Sequence, residues 1–238
     1  MILLDPHATP IVGHRGASGE CPENTIMSFD RAIAQGADAL ELDVRVTADN
    51  VPVVVHDATV DRTTNGTGSV RSHSLRALRA LDAGQGEPIP TLDEVLDRYR
   101  DLPLIVEIKE RHAAEPALRA LRRHDANGRV LVGSFVHAAL KPFSAAGWFR
   151  AASRRETGAS WMASRLGLAF RWRDFAAFTV PERHGSLTLV DRAFVRAAER
   201  TGRPVHVWTV DEVADARRLR AMGVAGIITN HPSRMRDL

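Results

Sequence analysis

The feature that most restricts what this chain can fold into is a recurrence. Short apolar runs of strand-like composition occur at residues 11–14, 39–46, 51–56, 104–109, 130–134, 149–153, 176–180, 204–210 and 225–229, and segments with helical spacing separate most of them. Residues 25–35 carry Ile26, Phe29 and Ile33 on one stripe and stop at Gly36. Thr91 and Glu94 form a capping-box pair for a helix bearing Leu92, Val95, Leu96 and Tyr99. Further helices are expected near 115–124, 138–146, 191–200 and 211–222. Strands alternating with helices call for a parallel sheet, either closed into a barrel or doubly wound.

The positions of the polar residues decide between these two. His14, Asp43, His56, Lys109, Ser134, Trp208 and Asn230 fall at the C-terminal ends of the runs, where α/β barrels collect their sites. No glycine-rich nucleotide fingerprint opens the first helix. The expected class is α/β, a (β/α)8 TIM barrel forming one domain over residues 1–238, a length such barrels reach undivided. Nine candidate strands are one more than a closed barrel uses, so one is expected at an edge or in a hairpin. The few residues around Asp49-Asn50 look like a hairpin turn. Residues 57–90 carry six Gly or Pro among many Thr and Ser, and are expected to form a small insertion after the third strand, with a short helix near 75–81.

The run at 39–46 alternates, which puts Glu41 and Asp43 on one face and Leu40, Leu42 and Val44 on the other. Two buried carboxylates need protonation, a cationic partner or a divalent metal with oxygen ligands. Glu107 and Lys109 repeat the same two-residue step, and a shared sheet would make Glu107 a third carboxylate at the site. His14 and His56 end apolar runs beside these groups, and imidazoles exchange protons at neutral pH without large tuning. Arg15 offers a planar fork for two phosphate oxygens. The other histidines, His184 among them, have no comparable setting.

Composition excludes several classes. The formal net charge is +3, too mild to imply a nucleic-acid partner. The single cysteine, Cys21, rules out an internal disulfide or a cysteine-rich zinc site. The first residues lack the basic start and apolar length of a signal peptide, and no run approaches the roughly 18 apolar residues of a membrane helix. The expected partner is a small molecule, the expected location cytoplasmic. The aromatic and arginine-rich stretch from Trp148 to Phe178 reads as a core-facing helix stripe with solvated arginines.

The chain resembles the glycerophosphodiester phosphodiesterase family. The resemblance runs in order through His14-Arg15-Gly16-Ala17, Pro22-Glu23-Asn24-Thr25, Glu41-Leu42-Asp43-Val44, Val55-His56-Asp57, Arg62-Thr63-Thr64-Asn65-Gly66-Thr67-Gly68, Glu107-Ile108-Lys109, Val207-Trp208-Thr209-Val210 and Gly226-Ile227-Ile228-Thr229-Asn230. It implies a glycerophosphodiester substrate and one divalent cation held at Glu41, Asp43 and Glu107, with an oxygen-only set that favours Ca²⁺ or Mg²⁺ over zinc. It makes His14 and His56 the catalytic pair, brings Lys109 to the substrate phosphate, and gives residues 57–90 the role of a lid. Asn24 joins the substrate-binding residues, with a helix N-cap as its structural account. Trp208 is expected as one wall of the alcohol pocket. The family often has Asp at the position of Asn230. Two other readings are a phospholipase D-type cleavage of lysophospholipids or sphingomyelin, and a non-catalytic phosphate-binding barrel.

Overall fold

The computed structural model describes residues 1–168, 174–236 and 238. Phe170, Arg171, Trp172 and Arg173 of the aromatic stretch lie outside the described residues.

β1 (Ile11–His14) leads through a loop to α1 (Ile26–Ala34), and β2 (Ala39–Val46) follows. β2 turns back at once into β3 (Pro52–Val54), which pairs with it antiparallel, Val44 opposite Val54. After a long loop containing the short α2 (Leu75–Leu78), α3 (Leu92–Arg98) begins at a capping box in which Thr91 and Glu94 satisfy each other's backbone amides. β4 (Leu104–Ile108), α4 (Ala114–Arg123), β5 (Val130–Gly133) and α5 (His137–Ala145) then alternate. α6 (Arg154–Arg165) precedes β6 (Phe178–Pro181), and a two-stranded flap follows, formed by β7 (Arg183–His184) and β8 (Leu187–Thr188). α7 (Arg192–Glu199), β9 (Val205–Trp208), α8 (Val213–Arg220) and β10 (Gly226–Thr229) end the alternation.

The parallel strands pair in the order β5-β4-β2-β1-β10-β9-β6. The circle closes through residues 149–152. Val132 bridges Arg150 in parallel, and Ala151 bridges Ala177 at the start of β6. The barrel therefore has its eight parallel segments, and the supernumerary strand of the sequence reading is the run at 51–56. Its residues form a hairpin on β2, held at the turn by Thr47 N–H to Val51 O at 3.0 Å. His56 thus enters the mouth from a returning strand and does not lie at the end of a barrel strand.

Alternation along β2 and β4 sends Leu40, Leu42, Val44, Leu104, Val106 and Ile108 outward into a shared core with α1, α3, α4 and α5. A second outer core joins β6, β9 and β10 to α7 and α8 through Phe178, Phe194, Val207 and Leu219. Full burial of each such side chain stabilises the fold by about 1.5–3 kcal/mol. The base of the barrel is filled from the N-terminus. A 3-10 turn, Ile2–Leu4, inserts Leu3 among Val12, Ala39, Ile105, Leu131, Ala151, Ala177 and Ile228. The buried His206 ring secures it, its Nε2 donating to Leu3 O at 2.8 Å.

The aromatic stretch does not form one helix stripe. Trp148 packs in the first outer core, whereas Phe175, Phe178 and Phe194 meet edge-to-face in the second, at 4.9 and 5.0 Å. Arg150 is buried and not solvated, because Glu156 at the start of α6 takes both of its terminal nitrogens at 2.8 and 2.7 Å. Residues 57–90 enclose a small core of their own, Val60, Val70, Leu78, Ala83 and Ile89, against Val53 and Val55 of the hairpin. No helix among the described residues is long and apolar enough to cross a membrane.

Candidate active site

The site begins where β1 ends. After His14 the chain turns sharply, with Arg15 and Gly16 both at positive φ, 53° and 85°. A side chain at Gly16 would collide with Ser28 of α1, so only glycine lets the loop close on the helix. The left-handed conformation costs a residue such as Arg15 about 1–2 kcal/mol. Three hydrogen bonds hold it: Arg15 N–H to Glu41 Oε2 at 3.1 Å, and Arg15 O accepting from Asn24 N–H at 3.0 Å and from the Ser28 hydroxyl at 2.9 Å.

Register then gathers the carboxylates. His14 lies opposite Glu41 across β1 and β2, and Asp43 opposite Glu107 across β2 and β4. One oxygen each of Glu41, Asp43 and Glu107 falls within 4.8 Å of the others. Burial first, then repulsion from Asp43 and Glu107, pushes the Glu41 carboxyl well above its ordinary range. Burial also raises Glu107, against the pull of Lys109. For Asp43 burial acts in the same sense, but Lys109 and Arg15 outweigh it and its carboxyl is held low. The Lys109 ammonium lies 3.3 Å from Asp43 and 3.0 Å from Glu107, and Arg15 Nε lies 3.0 Å from Asp43. Three carboxylates facing two cations leave an unbalanced negative charge. The converging oxygen donors and the raised Glu41 are what a divalent ion would relieve, so the residues fit Ca²⁺ or Mg²⁺.

Asn24 serves this group and not a helix end. The N-cap of α1 is Thr25, whose hydroxyl accepts from Ser28 N–H. Asn24, at φ 60°, donates its amide to Asp43 Oδ2 at 2.9 Å and accepts from Asp43 N–H at 3.3 Å. It is buried, and both of these hydrogen bonds go to Asp43.

Each histidine has one ring nitrogen fixed. Asn230 donates its side-chain and backbone N–H groups to Asp211 at 2.8 Å each, which orients its carbonyl oxygen to His14 Nδ1 at 2.7 Å. That oxygen only accepts, so Nδ1 carries the proton and Nε2, 3.9 Å from Glu41, keeps its lone pair. Burial, with Arg15 second, lowers the His14 pKa and keeps the ring neutral. His56 Nδ1 lies 2.6 Å from Asp57 Oδ1. Arg62 hydrogen bonding, opposed by burial and assisted by His56, holds the Asp57 carboxyl far below its usual range.

These groups open on a cavity of about 490 Å³ at the C-terminal mouth, lined by His14, Arg15, Glu41, His56, Glu107 and Lys109 at its polar end. Trp208 lines the cavity, edge-to-face with Phe135 at 5.8 Å. Part of the remaining wall comes from Arg154 and Thr157 of α6 and from His184, Leu187 and Leu189 around the flap. His184, which the sequence set aside, accepts from Arg154 Nη2 at 2.9 Å. The cavity lining takes no residue from 57–90. That segment reaches the site through Asp57, which meets His56 Nδ1, and through Arg62, which bonds Glu23 and Asp57. The sequence reading gave no role to Asp211, Asn230, Glu23, Asp57 or Arg62. Asp57 could have been found from its adjacency to His56, and Glu23, Asp57 and Arg62 all stand inside quoted motifs. Nothing local marks Asp211.

Comparison with known proteins places the chain in a family. The family model described as the glycerophosphoryl diester phosphodiesterase family matches residues 14–234. A glycerophosphodiester phosphodiesterase of Caldanaerobacter subterraneus subsp. tengcongensis is 34% identical over 244 residues, covering 97% of each chain. One of Bacillus subtilis is 33% identical over 97% of this chain and 86% of its own. Among solved structures, an Oleispira antarctica phosphodiesterase in complex with the product sn-glycerol-3-phosphate superposes with a TM-score of 0.80 and 27% identity, covering 97% of this chain and 96% of that one. On a match of this extent, the chain belongs to the glycerophosphoryl diester phosphodiesterase family.

Proposed function

We propose that the protein hydrolyses glycerophosphodiesters to sn-glycerol 3-phosphate and an alcohol. The observation that carries this reading is the pair of imidazoles on one cavity, each with Nδ1 committed to a protein acceptor, beside three carboxylates within 4.8 Å. A phosphodiester is slow to hydrolyse because its charge repels nucleophiles and its alkoxide leaves poorly. A base, an acid and positive charge on the non-bridging oxygens remove those obstacles.

His14, neutral and with Nε2 unprotonated, takes the proton of the attacking hydroxyl. His56, its Nδ1 on Asp57, delivers a proton from Nε2 to the departing alkoxide. Arg15 and Lys109 bind phosphate oxygens, Arg15 through the fork that Glu23 and Asp43 orient. Asn24 holds Asp43 in place, and Trp208 bounds the alcohol side. A divalent cation held by Glu41, Asp43 and Glu107 would add charge stabilisation at the phosphoryl oxygen. The activities of the relatives favour this substrate over lysophospholipids, whose support is limited to the apolar wall of the cavity.

The test is release of sn-glycerol 3-phosphate from glycerophosphocholine by the purified chain. EDTA is expected to abolish release and either Ca²⁺ or Mg²⁺ to restore it. Release that persists in EDTA would remove the metal from the reading. No release from a folded sample under any metal would reject the substrate.

A further inference from the structure

Arg62 stands outside the cavity, half exposed on the loop after β3, yet each of its hydrogen bonds ends on a carboxylate that also holds a group at the phosphate. Its Nη1 and Nη2 donate to the two oxygens of Glu23 at 2.9 and 2.7 Å, and its Nε donates to Asp57 Oδ2 at 2.6 Å. On its other side Glu23 Oε1 accepts from Arg15 Nη1 at 3.0 Å. Asp57 Oδ1 meets His56 Nδ1 at 2.6 Å. Cation and anion alternate through Arg15, Glu23, Arg62, Asp57 and His56, with Arg62 at the centre.

The loop is built to keep Arg62 there. Val60 is buried with Val70 and Leu78, Thr59 bridges Ser69, and Asp61 Oδ2 accepts from Gly68 N–H at 3.0 Å. An isolated surface ion pair contributes little stability. A planar fork that satisfies two carboxylates in fixed directions contributes geometry, which a lysine ammonium cannot reproduce. Without Arg62, Glu23 and Asp57 lose the cation between them, and each is free to turn away from the residue it orients.

We propose that Arg62 is a positioning residue for phosphodiester cleavage, fixing the placement of the Arg15 fork relative to His56. The proposal rests on the roles given to Arg15 and His56 above. Its consequence is selective, because His56 matters most where the leaving alkoxide needs a proton.

The experiment compares the parent chain with Arg62→Met and Arg62→Lys on two substrates, glycerophosphocholine and the p-nitrophenyl ester of sn-glycerol 3-phosphate, whose phenolate leaves without proton help. The inhibition constant of sn-glycerol 3-phosphate reads the Arg15 side. In Arg62→Met, kcat on glycerophosphocholine is expected to fall ten-fold or more and to fall less on the nitrophenyl ester. The product should also bind more weakly, with the urea midpoint unchanged. Arg62→Lys should recover part of the loss, and it carries the same comparison if Arg62→Met does not fold. Unchanged kcat on glycerophosphocholine in the variants overturns the proposal. So does an equal loss on both substrates with unchanged product binding, the pattern of a merely structural role. A parent chain that releases nothing from glycerophosphocholine fails the functional reading and this proposal with it, whereas an active parent with indifferent variants fails the proposal alone.

Discussion

At the scale of the residue, the site works by committing one atom of a side chain so that another is left for chemistry. Asp211 fixes the Asn230 amide, Asn230 fixes the His14 tautomer, and Nε2 keeps its lone pair. Two predictions differ in size because, in the proposed mechanism, one removes the base and the other only its support. His14→Ala should lower kcat by about 10²–10⁴-fold, the usual worth of a positioned base. Asn230→Ala should cost about 10–100-fold, as for partners that orient metal-bound histidines. Steady-state kinetics on folded variants check both, and an Asn230→Ala loss as large as that of His14→Ala would assign Asn230 a direct part in the reaction. These supports were hard to read from sequence because the partners come from opposite ends of the chain. His14 and Asn230 stand 216 positions apart, and nothing about an asparagine at a strand end says which ring it will face.

Among the elements, what the sequence made legible was whatever repeats locally. The alternation in β2 and β4 predicted an acidic face and an apolar face, and the register delivers both. The capping box at Thr91 and Glu94 likewise needs only neighbours in sequence. Pairing direction showed only through the turn. The run at 51–56 has the composition of a parallel strand, and the hairpin turn expected around Asp49-Asn50 folds it back on β2. Residues 149–152, one of the expected strands, close the barrel through single bridges, and they include an arginine whose burial depends on distant partners, Glu156 above all, that no local pattern shows. The 3-10 turn at the base was equally invisible, since three residues carry no period. Leu3→Ala there should cost about 2–5 kcal/mol of stability, measured by urea unfolding. Its KM should match the parent, because the base lies at the other end of the strands from the mouth. A raised KM with unchanged stability would contradict this division.

Across the whole molecule, the closed barrel separates a dry base from a charged mouth. His206 marks the dry end. Burial lowers its pKa to about 4 from 6.5, so below pH 6.5 the unfolded chain binds the proton that the folded chain refuses. Its contribution to stability is therefore intact above about pH 6.5 and is lost as the pH falls toward 4. At about 1.4 kcal/mol per pH unit, the loss is about 3 kcal/mol over the interval. Urea midpoints between pH 7 and 4.5 should show this slope, and a His206→Leu chain, whatever its absolute stability, should lose it. An identical slope in both chains would assign the acid sensitivity to other groups. At the mouth, among the described residues, the flap strands β7 and β8 pair with each other and not with β1, β2 or β4, which carry His14, Glu41, Asp43 and Glu107. The flap's share of the cavity wall, His184 and Leu187, is thus carried on a different piece of chain from the carboxylates and His14. Under the proposed function, rewriting the flap would reshape that part of the cavity while leaving in place the residues to which bond cleavage is assigned.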